Sequence, residues 1–368
     1  MKLVILKTNL RDGLVGIEHA KADNNNLPIL KNVLIKTFNN KIQLSATNLE
    51  IAISKYVSGK IIEEGSITIP LETLNSIVNN VNSERINLET ENNTLLLKTD
   101  NYEATIQGLP EEEFPIIPKI ENIKASLQID SGVLKDGLLK VINAVQMSEI
   151  RPEISGVLFD FQVTYFKLVG TDSFRLAEKT INESNFKSSF ARGFKVIIPL
   201  KTAQEVLRII NESEVSIFID PNQILFKNDD LEIISRLIDG NYPDYEQIIP
   251  KSFETEMNIE KEHLYNAVKL VSTFSGKVND IKLKTKDGKK ILEVYSANQY
   301  LGENNYLVPA KIKGDDFEAS FNWRYLMDGL KNFSENELLF KVNNSAKPAM
   351  LKSLSDESYF YILMPVRS

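Results

Sequence analysis

Few residues in this chain have the type or spacing that covalent chemistry needs. There is no cysteine, which excludes disulfides, thiolate zinc sites and thiol nucleophiles. The two histidines, His19 and His263, stand on predicted helices without an H-x-x-x-H partner, so surface or packing roles are expected rather than metal binding. Gly276-Lys277-Val278 lacks the remainder of a phosphate loop. Glu111-Glu112-Glu113 falls between Pro110 and Pro115 and reads as a solvated loop. What remains is binding chemistry. Basic residues lie on or beside predicted helices at Arg11, Lys21, Lys135, Lys140, Lys201, Arg208, Lys269, Arg324 and Lys331. Such residues ordinarily make a solvated helix face. Gathered on one surface, they attract phosphates without reading base sequence.

The bulk numbers set bounds on that attraction. The formal net charge is -7, which argues against a chain held on nucleic acid by a strong basic field, though not against a local basic lining. At 42% hydrophobic and 25% charged residues the composition is that of an ordinary globular protein. The N-terminal Met1-Lys2-Leu3-Val4-Ile5-Leu6-Lys7 has no long apolar core or cleavage site, and no run approaches a membrane span. A cytoplasmic protein is expected, with no cofactor and no membrane partner.

The elements that must position these residues are repeated. Leu10-Arg11-Asp12-Gly13-Leu14 returns as Leu134-Lys135-Asp136-Gly137-Leu138, and Thr47-Asn48 as Thr171-Asp172, both at a shift of 124. Ile116-Ile117-Pro118-Lys119 returns as Ile248-Ile249-Pro250-Lys251. A fainter third copy follows. The period is that of a domain rather than of a solenoid unit. Three domains are expected, over 1–123, 124–252 and 253–368. In each, a short alternating strand precedes an amphipathic helix, as in Leu134, Leu138, Val141, Ile142 and Val145 on one face. A strand pair follows, ending at Thr47-Asn48, Thr171-Asp172 and Ala297-Asn298. A second helix follows a strand at Ile69-Pro70-Leu71-Glu72-Thr73, Ile198-Pro199-Leu200-Lys201-Thr202 and Phe321-Asn322-Trp323-Arg324-Tyr325, with the proline at the first two junctions suited to a first helical turn. Lys201 and Arg324 take equivalent places in this repeat, and Glu72 opposes them. The fold class is α+β: two helices per domain against antiparallel sheet. Edge strands of neighbouring domains are expected to pair.

The motifs together resemble one family. Leu27-Pro28-Ile29-Leu30-Lys31-Asn32-Val33 is similar to a first-domain segment of the bacterial DNA polymerase III beta subunit. Thr171-Asp172-Ser173-Phe174-Arg175-Leu176-Ala177 resembles its T-D-x-x-R-L-A motif, and Asp239-Gly240-Asn241-Tyr242-Pro243-Asp244-Tyr245 its D-G-x-[FY]-P-D-Y motif. Met364-Pro365-Val366-Arg367 resembles its M-P-x-R end. The resemblance spans the whole chain in order. It implies a non-catalytic sliding clamp: a head-to-tail homodimer of six domains, ringing double-stranded DNA with helices inside and sheets outside. Such a ring tethers by topology, so weak phosphate contacts suffice and tight ones would hinder sliding. The implied partners are the replicative polymerase, the clamp loader, and repair and translesion proteins with clamp-binding peptides.

The same resemblance assigns residues. A groove between domains two and three is implied to take a peptide with a glutamine followed by apolar and aromatic residues. Its residues are Ile154, Thr171, Ser173, Phe174, Arg175, Leu176, Pro243, Gln247, Ile248, Ile362, Leu363, Met364, Pro365, Val366 and Arg367. Apolar walls with a few polar fixers suit an aromatic anchor. Ser173-Phe174 and Glu246-Gln247 depart from the commoner Gly-His and basic residues, which implies a narrower, less positive pocket. The implied DNA lining comprises Lys21, Lys135, Lys140, Arg151, Lys201, Arg208, Lys269 and Arg324. An arginine that the family carries before L-P-I-L is absent, with Asn24 near that place. The dimer seam is implied at Ala104, Ile106, Leu270 and Val271. The alternatives are a clamp-like paralogue with altered partners, or a carboxylate-dependent nuclease.

Overall fold

The computed structural model describes residues 1–21, 27–120, 125–211, 214–288 and 290–366. Asn24, Arg367 and the boundary at 123/124 lie outside them. Six α-helices occur among the described residues, two per repeat. They are α1 (Lys7–Ile17), α2 (Leu71–Asn80), α3 (Ser131–Ile142), α4 (Leu200–Ile209), α5 (Lys261–Val271) and α6 (Trp323–Lys331). Each begins where a strand ends. Lys2–Leu6, Leu127–Asp130 and Thr255–Glu260 lead into α1, α3 and α5, and Gly65–Pro70, Phe194–Pro199 and Glu318–Asn322 into α2, α4 and α6.

The repeated Leu-x-Asp-Gly-Leu segment now has a physical reason. Its glycine is where the helix touches the sheet. A Cβ at Gly13 would meet Leu44 Cδ1 at 2.6 Å and Val57 Cγ1 at 2.7 Å, and one at Gly137 would meet Leu168 Cδ1 at 2.5 Å. A helical glycine costs about 1 kcal/mol in propensity; here the closer burial of Leu10, Leu14 and Ile17, or of Leu134, Leu138 and Val141, offsets it. Two local expectations change. Pro70 and Pro199 are the last residues of their strands, opposite Asn32 and Gly156 on sheet edges, and the helices start one residue later. An edge strand tolerates the missing N–H as well as a first helical turn does. In the third repeat Asn322 stands there, and its side chain accepts from the N–H groups of Arg324 and Tyr325. The Glu111–Glu113 segment is a 3-10 turn rather than a loop, and Glu111 pairs with Lys36 at 2.5 Å.

Contacts divide the chain into two compact units, and the strands of the middle repeat are shared between them. The first unit is Met1–Gly132 with Phe186–Phe190 and Glu205–Leu237; the second is Val133–Asn185 with Ala191–Gln204 and Ile238–Ser368. In the first, Ile51–Val57 of repeat one pairs antiparallel with Leu231–Arg236 of repeat two, Ala52 opposite Ile234, inside a nine-stranded sheet. In the second, Arg175–Asn182 of repeat two pairs with Tyr359–Leu363 of repeat three, Leu176 opposite Ile362, inside a twelve-stranded sheet. Edge strands of neighbouring repeats thus do pair. Among the sheet edges left unpaired in the described residues, two belong to the same kinds of strand as those that pair at these seams. One is Glu103–Gln107, the end of a five-stranded sheet; the other is the first half of Gly302–Gly314, which pairs only with Ile291–Asn298.

Candidate functional site

Three hairpins carry the same turn. Thr47 Oγ1 donates to the Ile51 carbonyl at 3.0 Å, while Asn48 Oδ1 accepts from the N–H groups of Glu50 and Ile51 at 3.0 and 2.9 Å. Thr171 Oγ1 donates to the Arg175 carbonyl at 2.6 Å, while Asp172 Oδ1 accepts from Phe174 and Arg175 at 2.9 and 3.0 Å. Asn298 Oδ1 accepts from Tyr300 N–H at 2.9 Å. These Asx turns explain why Thr-Asn, Thr-Asp and Ala-Asn close the preceding strands. In the first two, the next residue is left-handed: Leu49 has φ 74° and Ser173 φ 77°. A side chain there costs about 1–2 kcal/mol, and glycine gives back about 0.4–1 kcal/mol through the unfolded chain. Ser173→Gly is therefore expected to stabilise by about 0.5 kcal/mol in urea unfolding. A loss of stability would show that the Arg151 Nη1 bond to Ser173 Oγ, at 2.8 Å, outweighs the strain.

That second turn borders an apolar surface between repeats two and three. Its floor is Leu158, Val169, Leu176 and Ile362, packed with Tyr242, Tyr245 and Met350. Above the floor Phe174 is 60% and Ile248 48% exposed. Met364 N–H donates to the Phe174 carbonyl at 2.8 Å, bringing the C-terminal strand's end alongside the turn. Pro243, Pro365 and Val366 are half-buried, and Ile154, Thr171 and Leu363 are buried. Gln247 is exposed and donates to Asp244 Oδ2 at 2.7 Å. Val366 N–H also bonds the Ser320 carbonyl at 2.8 Å, so this tail is both strand continuation and wall.

Beneath the surface the cations are committed. The Arg175 guanidinium lies 2.9 Å from Asp172 Oδ2, 2.6 Å from Asp328 Oδ2, and 4.2 Å over the Tyr325 ring. Burial opposes its charge, but Tyr361, Asp328 and Asp172 outweigh that and hold it protonated above even the usual arginine value. Arg175 therefore fixes α6 of repeat three to the turn of repeat two, rather than lying free to meet a peptide. Lys167 sits 3.4 Å from Glu178 and 3.2 Å from Glu246, tethering the 3-10 turn Tyr245–Ile248 to the sheet. Burial pushes the Tyr242 and Tyr245 phenols upward, with Glu178 adding to the effect at Tyr245. The floor is thus neutral at physiological pH. Sequence reasoning missed Tyr325 and Asp328, which lie far along the chain from Arg175; Tyr242 and Tyr245 were visible in their motif.

The basic candidates fall into two groups. Lys21 pairs with Glu72 at 2.7 Å, Lys140 with Asp136 at 3.3 Å, Arg208 with Glu205 at 2.8 Å and Arg151 with Glu153 at 3.2 Å. Arg151 in addition reaches Ser173, which places it beside the apolar surface rather than on a helix face. Lys135, Lys201, Lys269 and Arg324 have no ion pair among the described residues, and the last three are exposed. At the unpaired edges, Ala104 is half-buried and Ile106 buried within the five-stranded sheet. Leu270 is 56% exposed, whereas Val271 is 1% exposed; α5 turns Val271 into its own core, so only Leu270 is open to a partner. Among the described residues no three potential metal ligands cluster, and no helix is long and apolar enough to cross a membrane. The arrangement suits docking.

Comparisons with known proteins agree along the whole chain. Models of the DNA polymerase III beta subunit match residues 1–118 (N-terminal domain), 128–244 (central domain) and 246–367 (C-terminal domain). The beta sliding clamp of Staphylococcus aureus is 30% identical over 375 residues, covering 98% of this chain and 97% of that protein. That of Synechococcus elongatus is 27% identical over 375 residues, covering 100% and 99%. The solved DNA polymerase sliding clamp of Bacillus subtilis superposes with a TM-score of 0.94 at 26% identity, covering 100% and 99%. The DNA polymerase III beta chain of Streptococcus pneumoniae gives 0.93 at 27% identity, covering 100% of each.

Proposed function

This chain belongs to the DNA polymerase III beta subunit family of non-catalytic processivity clamps, and on that premise we propose that two copies close head to tail around duplex DNA. The domains in this reading are 1–123, 124–252 and 253–368. One observation carries the proposal. Inside the chain, each inter-repeat seam joins the strand after an Asx turn to the last strand of the next repeat. Two strands of those kinds are left over, Glu103–Gln107 and the start of Gly302–Gly314. A second copy supplies each with its partner.

The internal registers extend to that seam. Thr47 opposite Ala52, Thr171 opposite Leu176 and Ala297 opposite Glu303 make Ala52, Leu176 and Glu303 equivalent. Thr94 opposite Gln107 and Gln223 opposite Arg236 make Thr105 equivalent to Ile234. Ala52 faces Ile234, so Glu303 is expected to face Thr105 of the second copy, placing Asn304 opposite Ala104 and Gly302 opposite Ile106. Asn304 Nδ2 donates to the Leu270 carbonyl at 3.2 Å and its Oδ1 is buried without a partner, a polar group for which a neighbour is expected.

Helix residues Lys135, Lys201, Lys269 and Arg324 supply weak phosphate attraction in this reading. Lys21, Lys140 and Arg208 contribute less, because their carboxylate partners already neutralise them. The apolar surface between repeats two and three takes a partner's peptide, with Phe174 and Ile248 as walls. The topological reading is tested on DNA: protein loaded on nicked circles should remain and should leave on linearisation, whereas equal loss from both would sink it. The pocket is tested by anisotropy of a labelled Gln-Leu-Ser-Leu-Phe peptide. Ile248→Glu should weaken binding at least tenfold, because a desolvated carboxylate on an apolar wall costs more than 1.4 kcal/mol; unchanged binding would reject the assignment.

A further inference from the structure

The repeated Ile-Ile-Pro-Lys segment has a first copy that the clamp reading leaves unused. In the second copy, Ile249 packs on the apolar surface between repeats two and three, and Ile248 beside it is 48% exposed. In the first, Ile116 is 95% exposed and lines a cavity of about 230 Å³ beside the other seam, between repeats one and two. The turn, the paired strands and the strand end of the first surface each have an equivalent there. Leu49 and Glu50 of the Asx turn replace Ser173 and Phe174; Ala52 and Ile234 of the paired strands replace Leu176 and Ile362. Arg236 takes the place of Met364.

We infer that this seam is a second docking pocket, and that it takes the apolar anchor of an extended acidic peptide. The inference rests on the peptide reading of the other seam, whose backbone it repeats. The volume is below the roughly 300–1,000 Å³ of a small-molecule site, so a single leucine or phenylalanine side chain suits it better than a free metabolite. The floor is apolar: Ala52, Ile120 and Ile234 are buried and pack with Ile117. A second cavity of about 350 Å³ adjoins the first, sharing Ala52, Pro118 and Ile234 with it. An occupant can therefore run on along the surface.

The segment Pro115–Lys119, outside any helix or strand, runs between them; the Lys119 carbonyl accepts from Gln223 Nε2 at 3.5 Å, while the Ile116 and Ile117 backbone groups make no backbone–backbone hydrogen bond among the described residues. An extended peptide can use such groups as it uses a sheet edge. Charge sets the sign of the occupant. Lys227 and Glu232 at the second cavity pair with each other at 2.8 Å; Arg236 at the first cavity and Lys119 at the second have no ion pair among the described residues, against one such carboxylate, Glu50. An acidic residue beside the anchor complements that balance, and a lysine there opposes it.

The test is photocrosslinking of the full-length protein with the peptide Glu-Gln-Leu-Glu-Leu-Phe, its phenylalanine carrying a benzoyl group, and mapping of the adducts by mass. Two adduct sets are expected, one at Leu49, Ile116 or Ile234 and one at Phe174, Ile248 or Met364. Ile116→Glu, at a fully exposed position that folding does not need, should reduce the first set at least tenfold and spare the second; Ile248→Glu should do the reverse. A peptide with lysines for both glutamates should lose most of the first set. Adducts confined to the second set, or a first set that survives Ile116→Glu, overturn the inference and leave the clamp's peptide site standing. Adducts confined to the first set overturn that site instead. No adducts on folded protein overturn both.

Discussion

Leu270→Glu is expected to reduce the native mass to that of a single 41.7 kDa chain at micromolar concentration, with the melting temperature of the separated chains unaltered. Leu270 ends α5 with 56% of its surface exposed, next to the unpaired strand through the Asn304 bond to its carbonyl. In a single chain the new carboxylate meets water and changes nothing in the core. In a closed seam it replaces a buried leucine, worth about 1.5–3 kcal/mol, and must itself be desolvated, which adds several kcal/mol. A combined cost above about 3 kcal/mol weakens association more than a hundredfold. Sedimentation or native mass spectrometry reads the outcome, and an unchanged two-chain mass would remove α5 from the seam. Val271→Glu tests something else. Its position is 1% exposed, so that variant should lose its fold rather than its partner.

The contrast between Leu270 and Val271 marks what the sequence could and could not convey. Helical periodicity placed both near the end of one helix, and the repeat made their helix equivalent to α1 and α3. Periodicity also separates them, since Leu264, Ala267, Val268 and Val271 fall on one face and all four are buried; only the family resemblance set Leu270 and Val271 together at the seam. The repeats themselves were legible because they encode local constraints: a glycine where helix meets strand, and an Asx residue where a hairpin turns. Both constraints act within a few residues and leave a fixed letter. The charge pairs that act across distance leave none. Lys21 with Glu72, far apart in the chain, turns a residue that resembles part of a phosphate-attracting row into a neutral pair; Arg208 with Glu205, three residues apart on α4, does the same within reach of helical spacing. Arg151 read as one more cation of that row until its bond to Ser173 placed it at the rim of the apolar surface.

Arg175→Met is expected to destabilise the chain by about 3–5 kcal/mol in urea unfolding, the cost of removing one member of a buried ion pair. The side chains of Arg175 and Asp172 are 10% and 1% exposed. Methionine fills much of the same space, so lost volume does not explain the effect. What remains is a buried carboxylate whose Oδ2 has lost its cation, while Oδ1 still holds the turn through Phe174 and Arg175 N–H. Asp328 and Tyr325 of α6 lose their link at the same time, so the seam between repeats two and three should loosen together with the turn. Arg175→Lys separates the two effects. It keeps the charge but not the fork that serves Asp172 and Asp328 at once, nor the flat face over Tyr325, and it should recover only part of the loss. Full recovery by lysine would mean that charge alone holds the seam. No loss in the methionine variant would mean that the strand pairing of Leu176 with Ile362 is sufficient without the guanidinium.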